Sequence, residues 1–434
     1  MPSNLELLLE RTHTRLRGLK RQIDELPHGR GGEWKALLGH VLGEFTLVLK
    51  KAEDDLARAA TAGERAADAM AMNVAQHLER VQLVLDDFHE PITMYRESVA
   101  RSDVPVGLQH LIDILMEKIV IGGGDPIIHL DGINEYSTID LTAPVNELIR
   151  ALGPTATPYA GKHPIAFNLP ALDPNNALLA PVLAHEVAHT VVKQKLLADL
   201  EERVDASPVG ADIQAALTKY EENGQEAAEK LRSDFQSWST ELICDATAIA
   251  VTGPSFLLAL TAALVPPSAP TGILSHPPMH DRLRFALALA EELGWAEFMR
   301  DRAPGIMEWI SRVAAEELLD GSQEESFLRW AIDQTHDFRR SVAFGHVESP
   351  FRRDGRDERI DHAVGWLAQG VPMVDIDGEA LTPWQTVLAG WLAAIRVHGD
   401  TSATIVRAAG DPDYNGVIVK ALEYSQIVTA WRMA

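Results

Sequence analysis

The sequence predicts a predominantly helical α+β protein, and three observations carry that expectation. Apolar residues recur at three- and four-residue spacing over most of the chain. Short β-branched segments bounded by Gly, Pro or Asp interrupt that pattern between residues 119 and 170, and the helical pattern then returns to the end of the chain. With 434 residues the chain is too long for one ordinary core. The expected organisation is a helical bundle over residues 1–118, a core with a small sheet over 119–300, and a helical region over 301–434.

The bundle is read from Leu5, Leu8 and Leu9, then Leu37, Leu38, Val41, Leu42 and Phe45, then Leu78, Val81, Leu83 and Leu85. Breaks are expected at Pro27 to Gly32, at Thr61 to Gly63 and at Pro91. Ile119 to Ile121, Ile127 to Leu130 and Tyr136 to Leu141 read as strands. Gly122-Gly123-Gly124 reads as a turn, because a strand follows it and no Gly-Lys-Ser/Thr does. Ile165, Ala166, Phe167 and Asn168 lie in an alternating run with Pro164 and Pro170 at its ends, which suits a sheet edge. Asp173-Pro174-Asn175-Asn176 supplies helix-start chemistry for a helix over Leu178 to Val192, with Leu183, Val187 and Val191 as its buried stripe. Residues 194 to about 235 form a charged helical excursion. Residues 305 to 434 read as helices rich in Trp, with a charged loop at Arg352 to Arg359.

The composition, 46% hydrophobic and 24% charged, describes a soluble globular protein, and the net charge of −24 argues against nucleic acid or anionic membrane as partners. A single Cys, Cys244, excludes an internal disulfide and suits a reducing compartment. The first residues lack a basic region followed by an apolar segment of signal-peptide length, so a cytoplasmic location is expected. Ala246 to Val265 carries no charge and is long enough to span a bilayer, but Gly253 and Pro254 interrupt it. A buried helix pair without a membrane span is expected there.

The chemistry concentrates at His185-Glu186-Val187-Ala188-His189. On a helix, positions i and i+4 share a face, so both imidazoles can reach one tetrahedral Zn²⁺ while Glu186 stands beside a metal-activated water. Such a site needs a third protein ligand and an open position. Glu241 is the candidate, with Asp245 one turn further on, where it would accept the N–H of a ligating imidazole. The competing reading of this pair is an ordinary solvated acidic face. Ser275-His276-Pro277-Pro278 leads into a helix with Arg282, and His276 is a candidate oxyanion donor, oriented by Arg282 or Asp281. Its competing reading is a turn cap.

In this order and with these spacings, His185-Glu186-x-x-His189, Glu241-x-x-x-Asp245 and His276-Pro277-Pro278 with Arg282 resemble the gluzincin metalloproteases of the CAAX prenyl protease and HtpX family. The resemblance covers roughly residues 160 to 290. It implies a zincin-like metalloprotease core, with His185, His189 and Glu241 as zinc ligands, Glu186 as general base and His276 as a transition-state contact. Cys244 replaces the Ala usual before the Asp of the second motif. The best-known relatives are membrane proteins or exported, and neither feature is read here, so the resemblance extends to the catalytic centre and not to their substrates.

The expected function is therefore a zinc-dependent endopeptidase acting on a peptide or protein substrate. An extended peptide would lie along the strand at Ile165 to Asn168. The helical flanks would restrict access or recruit a protein partner. The alternatives are a helical adaptor that keeps a metalloprotease-like zinc core, and a hydrolase of a non-peptide amide. Intact Glu186 favours catalysis, since a structural zinc site needs no general base. Several other residues invite function and have plainer readings: His163 as a surface residue, His280 as second to His276, Cys244 as a packed thiol, and Asp375 to Gly378 as a turn lacking the remaining calcium-loop spacing.

Overall fold

The structure is a computed structural model that describes residues 4–25, 32–100, 104–120, 124–131, 136–161, 163–170, 175–221, 224–264, 276–315, 323–347, 358–376 and 379–433. The chain divides into two compact units, one of residues 1–103 with 122–172 and the other of residues 104–121 with 173–434. This division cuts across the linear boundaries expected at 118 and 300. The small sheet groups with the N-terminal helices, and the helix Val106–Ile119 groups with the C-terminal ones.

In the first unit the helices Asn4–Asp24, Gly32–Ala59 and Glu64–Asp87 pack on one another. Leu37, Leu38, Val41 and Phe45 form a buried stripe of three- and four-residue period, and Leu78, Val81 and Leu85 on the third helix join the same core. Phe45 meets Phe88 edge-on with ring centroids 6.2 Å apart, a preferred aromatic geometry. The break at Thr61 to Gly63 falls where expected, and the next break comes at Phe88, before the helix His89–Ala100. The Pro27 to Gly32 break lies mostly outside the described residues.

Three strands complete this unit: β1 (Gly124–Asp131), β2 (Ser137–Asp140) and β3 (His163–Pro170), in the order β1-β3-β2. β3 pairs parallel with β1 and antiparallel with β2. This overturns the edge reading of Ile165, Ala166, Phe167 and Asn168. Each of the four faces a partner on both sides, and all four are buried. The terminal prolines do not make β3 an edge, because Pro164 and Pro170 lie beyond the span that pairs with β2. Ile119 is likewise not in a strand. It ends the helix Val106–Ile119, with Val120 as an extended cap. Gly122 and Gly123 lie outside the described residues, as does the side chain of His163.

Among the described residues the second unit is helical apart from two short antiparallel strands, Asp375–Ile376 and Glu379–Ala380; residues 377 and 378 of the Asp375 to Gly378 motif are not described. Its axis is the helix Gln225–Thr252, buried at every position from Glu241 to Thr252. The helices Ala180–Val191, Met279–Glu292, Gln323–Gln334 and His336–His346 pack against it. A helix buried all round presents apolar side chains on every face, as Leu242, Ile243, Ala246, Ile249 and Val251 do. It ends at Gly253, whose φ of +64° disfavours a side chain, and the chain turns into the helix Pro254–Leu264. The uncharged stretch at 246 to 264 is thus two buried helical pieces, and no helix among the described residues is long and apolar enough to cross a membrane.

The C-terminal helices are built into the same core. Trp391 Nε1 donates to the Leu178 carbonyl at 3.1 Å, and the fully buried Asn415 accepts from the Leu178 N–H at 3.2 Å. Asn176 donates to the Ala409 carbonyl at 2.6 Å and accepts from the Leu179 N–H. These bonds satisfy backbone groups at the entry to the helix Ala180–Val191, which has no side-chain cap of its own.

Candidate metal centre

The helix Ala180–Val191 is fixed by burial of Leu183, Val187 and Val191, each fully removed from solvent and each contributing about 1.5–3 kcal/mol. That stripe turns His185 and His189 toward the helix Gln225–Thr252. Their rings lie edge-on with centroids 4.9 Å apart. His185 Nε2 stands 3.3 Å from Glu241 Oε2, and His189 Nε2 stands 3.5 Å from Glu241 Oε1. His185, His189 and Glu241 together offer three donor atoms that lie within 4.8 Å of one another, a group that can hold a metal ion.

The helix that carries Glu241 begins at Gln225, so the last part of the charged stretch read at 194 to about 235 belongs to it. Glu241 and Asp245 therefore sit one turn apart inside a buried segment, where a carboxylate needs partners to remain ionised. Asp245 is completely buried and fully engaged. Its Oδ1 lies 2.7 Å from His185 Nδ1, and Arg282 donates to both of its oxygens, from Nη2 to Oδ1 at 2.6 Å and from Nε to Oδ2 at 2.8 Å. The solvated acidic face is thereby excluded.

The electrostatics favour one positive charge among these donors. Burial alone would lower the His185 pKa, but the charge of Asp245 and the hydrogen bonds that Asp245 and Glu241 accept from the ring outweigh it and raise the value to about 9. Burial and the neighbouring charge of His185 depress His189 to about 4. Asp245 is held well below the usual carboxylate range, against its burial, by Arg282 and His185. Burial pushes the Glu186 carboxyl above its ordinary value. His189 Nδ1 is buried and makes no hydrogen bond with the described residues, so the two imidazoles are unequally supported.

Glu186 lines the same cleft as the three donors, together with His276 and Arg282. His276 Nε2 lies 3.5 Å from Glu241 Oε1, and its side chain is 65% exposed, so it stands at the open side of the cleft. Neither residue expected to orient it turns that way: Arg282 hydrogen-bonds Asp245, and Asp281 is buried among Arg329, Arg284 and His280. His280 is thus part of a separate ion cluster. Cys244 is fully buried, and burial pushes its thiol up, as for a packed side chain. Ile165 to Asn168 belong to the other unit.

Residues that the motifs did not reveal complete the cleft: Val182, Phe256, Leu260 and Ala263. The spacing of the last three, four then three residues, is the available signal in the sequence. Comparison of the chain with protein-family models, curated proteins and solved structures finds no significant match.

Proposed function

We propose that the protein is a zinc-dependent endopeptidase with a gluzincin-type centre, in which His185, His189 and Glu241 hold the metal. The carrying observation is the convergence of these three donors with Glu186 beside them in one cleft. The donor set suits zinc. His185 Nε2 lies 3.3 Å from one Glu241 oxygen and His189 Nε2 3.5 Å from the other, and one donor atom from each residue falls within 4.8 Å of the rest. Two nitrogens and one carboxylate leave the fourth position open, as catalytic sites require. Asp245 on the Nδ1 of His185 is the outer partner that fixes a ligating imidazole in the right tautomer.

When bound, zinc supplies Lewis acidity, polarising a carbonyl and making a water more acidic near neutral pH. Glu186 takes the proton of the attacking water on its carboxylate and returns it to the departing amine nitrogen, a role its raised pKa suits. His276, at the open side, donates a hydrogen bond to the oxygen that becomes negative as water adds. Arg282 keeps Asp245 ionised and in place through two hydrogen bonds.

The central position of β3 removes that strand as the docking site for an extended peptide, so the peptide reading rests on the cleft. An adaptor that keeps the centre for structure would not need a general base beside the open position. Incubation of the zinc-loaded protein with unfolded casein tests the proposal. Cleavage that a chelator abolishes and stoichiometric zinc restores is expected, and a zinc-loaded protein that cleaves nothing would favour the adaptor.

A further inference from the structure

We infer that the first unit holds a further binding site, a pocket between the helices Gly32–Ala59 and Glu64–Asp87 and the loop 152–156, which takes a dipeptide-sized zwitterion with a free ammonium and a free carboxylate. The site does not depend on the metal chemistry proposed above. Glu44, Val48 and Lys51 occur at i, i+4 and i+7 of the first helix, so one face presents all three to the pocket. Glu44 is only 6% exposed, yet it makes no hydrogen bond or salt bridge among the described residues. A buried carboxyl group needs a donor, and the pocket is where one can reach it. Lys51 stands at the exposed rim and is likewise without a salt bridge among the described residues. His77 lines the wall of the second helix, and its buried Nδ1 makes no hydrogen bond. Burial and the charges of Lys51 and Arg80 lower its pKa, so the ring is uncharged at pH 7 and Lys51 supplies the cation in the pocket.

The third wall is braced before any ligand arrives. Ala156 N–H donates to the Gly153 carbonyl at 3.2 Å, closing a turn with Pro154 at its second position. Asn146 holds the chain just beyond, accepting from Tyr159 N–H at 2.6 Å and donating to the Tyr159 carbonyl at 3.2 Å. His40 Nε2 lies 2.7 Å from the Thr157 carbonyl. Gly153 adopts a φ of +136°, and a Cβ there would lie 3.7 Å from Arg80 Nη1, so a second cation stands beside the loop. A wall fixed in advance loses little freedom on binding.

The charges decide the ligand. A metal ion or simple amine would suit Glu44 but be repelled by Lys51 and Arg80, and phosphate would suit the cations but be repelled by Glu44. A molecule with one charge of each sign satisfies both. Glu44 and Lys51 are seven positions apart in the sequence, about 10.5 Å along the helix axis. A dipeptide spans about 7 Å, and the flexible stem of Lys51 covers the remainder. A single amino acid carries both charges at one carbon and reaches only one end. The pocket holds about 230 Å³, less than the roughly 300–1,000 Å³ typical of sites for drug-sized ligands. With Val48 and Leu152 buried along it, that space suits small aliphatic side chains.

Calorimetric titration of the full chain at pH 7 tests this, with a chelator present so that no metal-held ligand contributes. The probes are alanyl-alanine, its N-acetyl and C-terminal amide forms, alanine and inorganic phosphate. Alanyl-alanine should bind at least about tenfold more tightly than either blocked form, the worth of one hydrogen bond to a charged group. Glu44→Gln, which keeps the shape of the side chain, and Lys51→Gln, an exposed substitution, should each weaken its binding about tenfold with the circular dichroism unchanged. Lys51→Gln carries the test by itself if the buried substitution disturbs folding. Absence of alanyl-alanine binding would overturn the inference. So would a blocked form, alanine or phosphate that binds as tightly, or a Lys51→Gln protein with unchanged affinity.

Discussion

His185 Nδ1 lies 2.7 Å from Asp245 Oδ1, and that contact ties the candidate metal centre to the interior of the second unit. Asp245 is itself held by two hydrogen bonds from Arg282. A ligand, its carboxylate and a guanidinium therefore form a chain in which each buried polar group has a partner. Removing any one exposes the others to the cost of being buried and unsatisfied.

Asp245→Ala is expected to act on both metal affinity and stability. Loss of the partner behind a ligating imidazole weakens metal binding by about 10- to 100-fold. It also removes the acceptor of both Arg282 hydrogen bonds and leaves that buried guanidinium with Glu241, 4.0 Å away, as its remaining carboxylate, so a loss of up to about 3–5 kcal/mol is expected. Zinc competition with a chromophoric chelator and urea unfolding measure the two effects separately.

Glu241→Ala removes the only carboxylate among the three donors. The protein should then lose stoichiometric zinc while keeping its helical content, read by metal analysis and circular dichroism. Full retention of zinc would mean that another group supplies the third bond.

Zinc binding should release a proton. At pH 7 His185, with a pKa raised to about 9, carries a proton that the metal must displace, so about one proton is released per zinc. Calorimetry in buffers of different ionisation enthalpy reads this number. The same shift governs the metal-free protein. Because the folded value is raised above 6.5 to about 9, its contribution to stability is fully present below pH 6.5 and is lost as pH rises through 9. Asp245 works in the opposite sense, its contribution present above about 3.8 and lost as pH falls below that. The unfolding free energy of metal-free protein, read from urea titrations, should fall between pH 6.5 and 9 by an amount on the order of a few kcal/mol.

Asn415→Ala tests the role of the C-terminal helices. Asn415 is fully buried, accepts from Leu178 N–H and donates to the carbonyls of Ala408, Ala409 and Asp411. Unsatisfied buried partners cost about 1–3 kcal/mol each. A lowered urea midpoint is expected, and an unchanged one would show that the contact is dispensable.

The helices were legible because the apolar period of residues such as Leu37, Val41 and Phe45 is strong and local. His185, His189, Glu241 and Asp245 were legible because each pair is set by one turn of helix. What escaped depends on pairing between distant segments. β3 looks like an edge from its prolines, yet β1 and β2 flank it, and nothing in its own sequence records them. Arg282 was assigned to His276 from proximity in sequence, but its partner Asp245 lies on another helix. The bonds of Asn176 and Asn415 join residues more than two hundred positions apart. Such contacts follow from tertiary packing and leave no local pattern.

Glu186→Gln tests the central claim most directly, because it changes one carboxylate next to the metal donors and leaves all three donors intact. The account predicts stoichiometric zinc in the variant and loss of casein cleavage by at least about a hundredfold, the lower end of what a general base contributes. Unchanged cleavage by a zinc-loaded Glu186→Gln protein would contradict it.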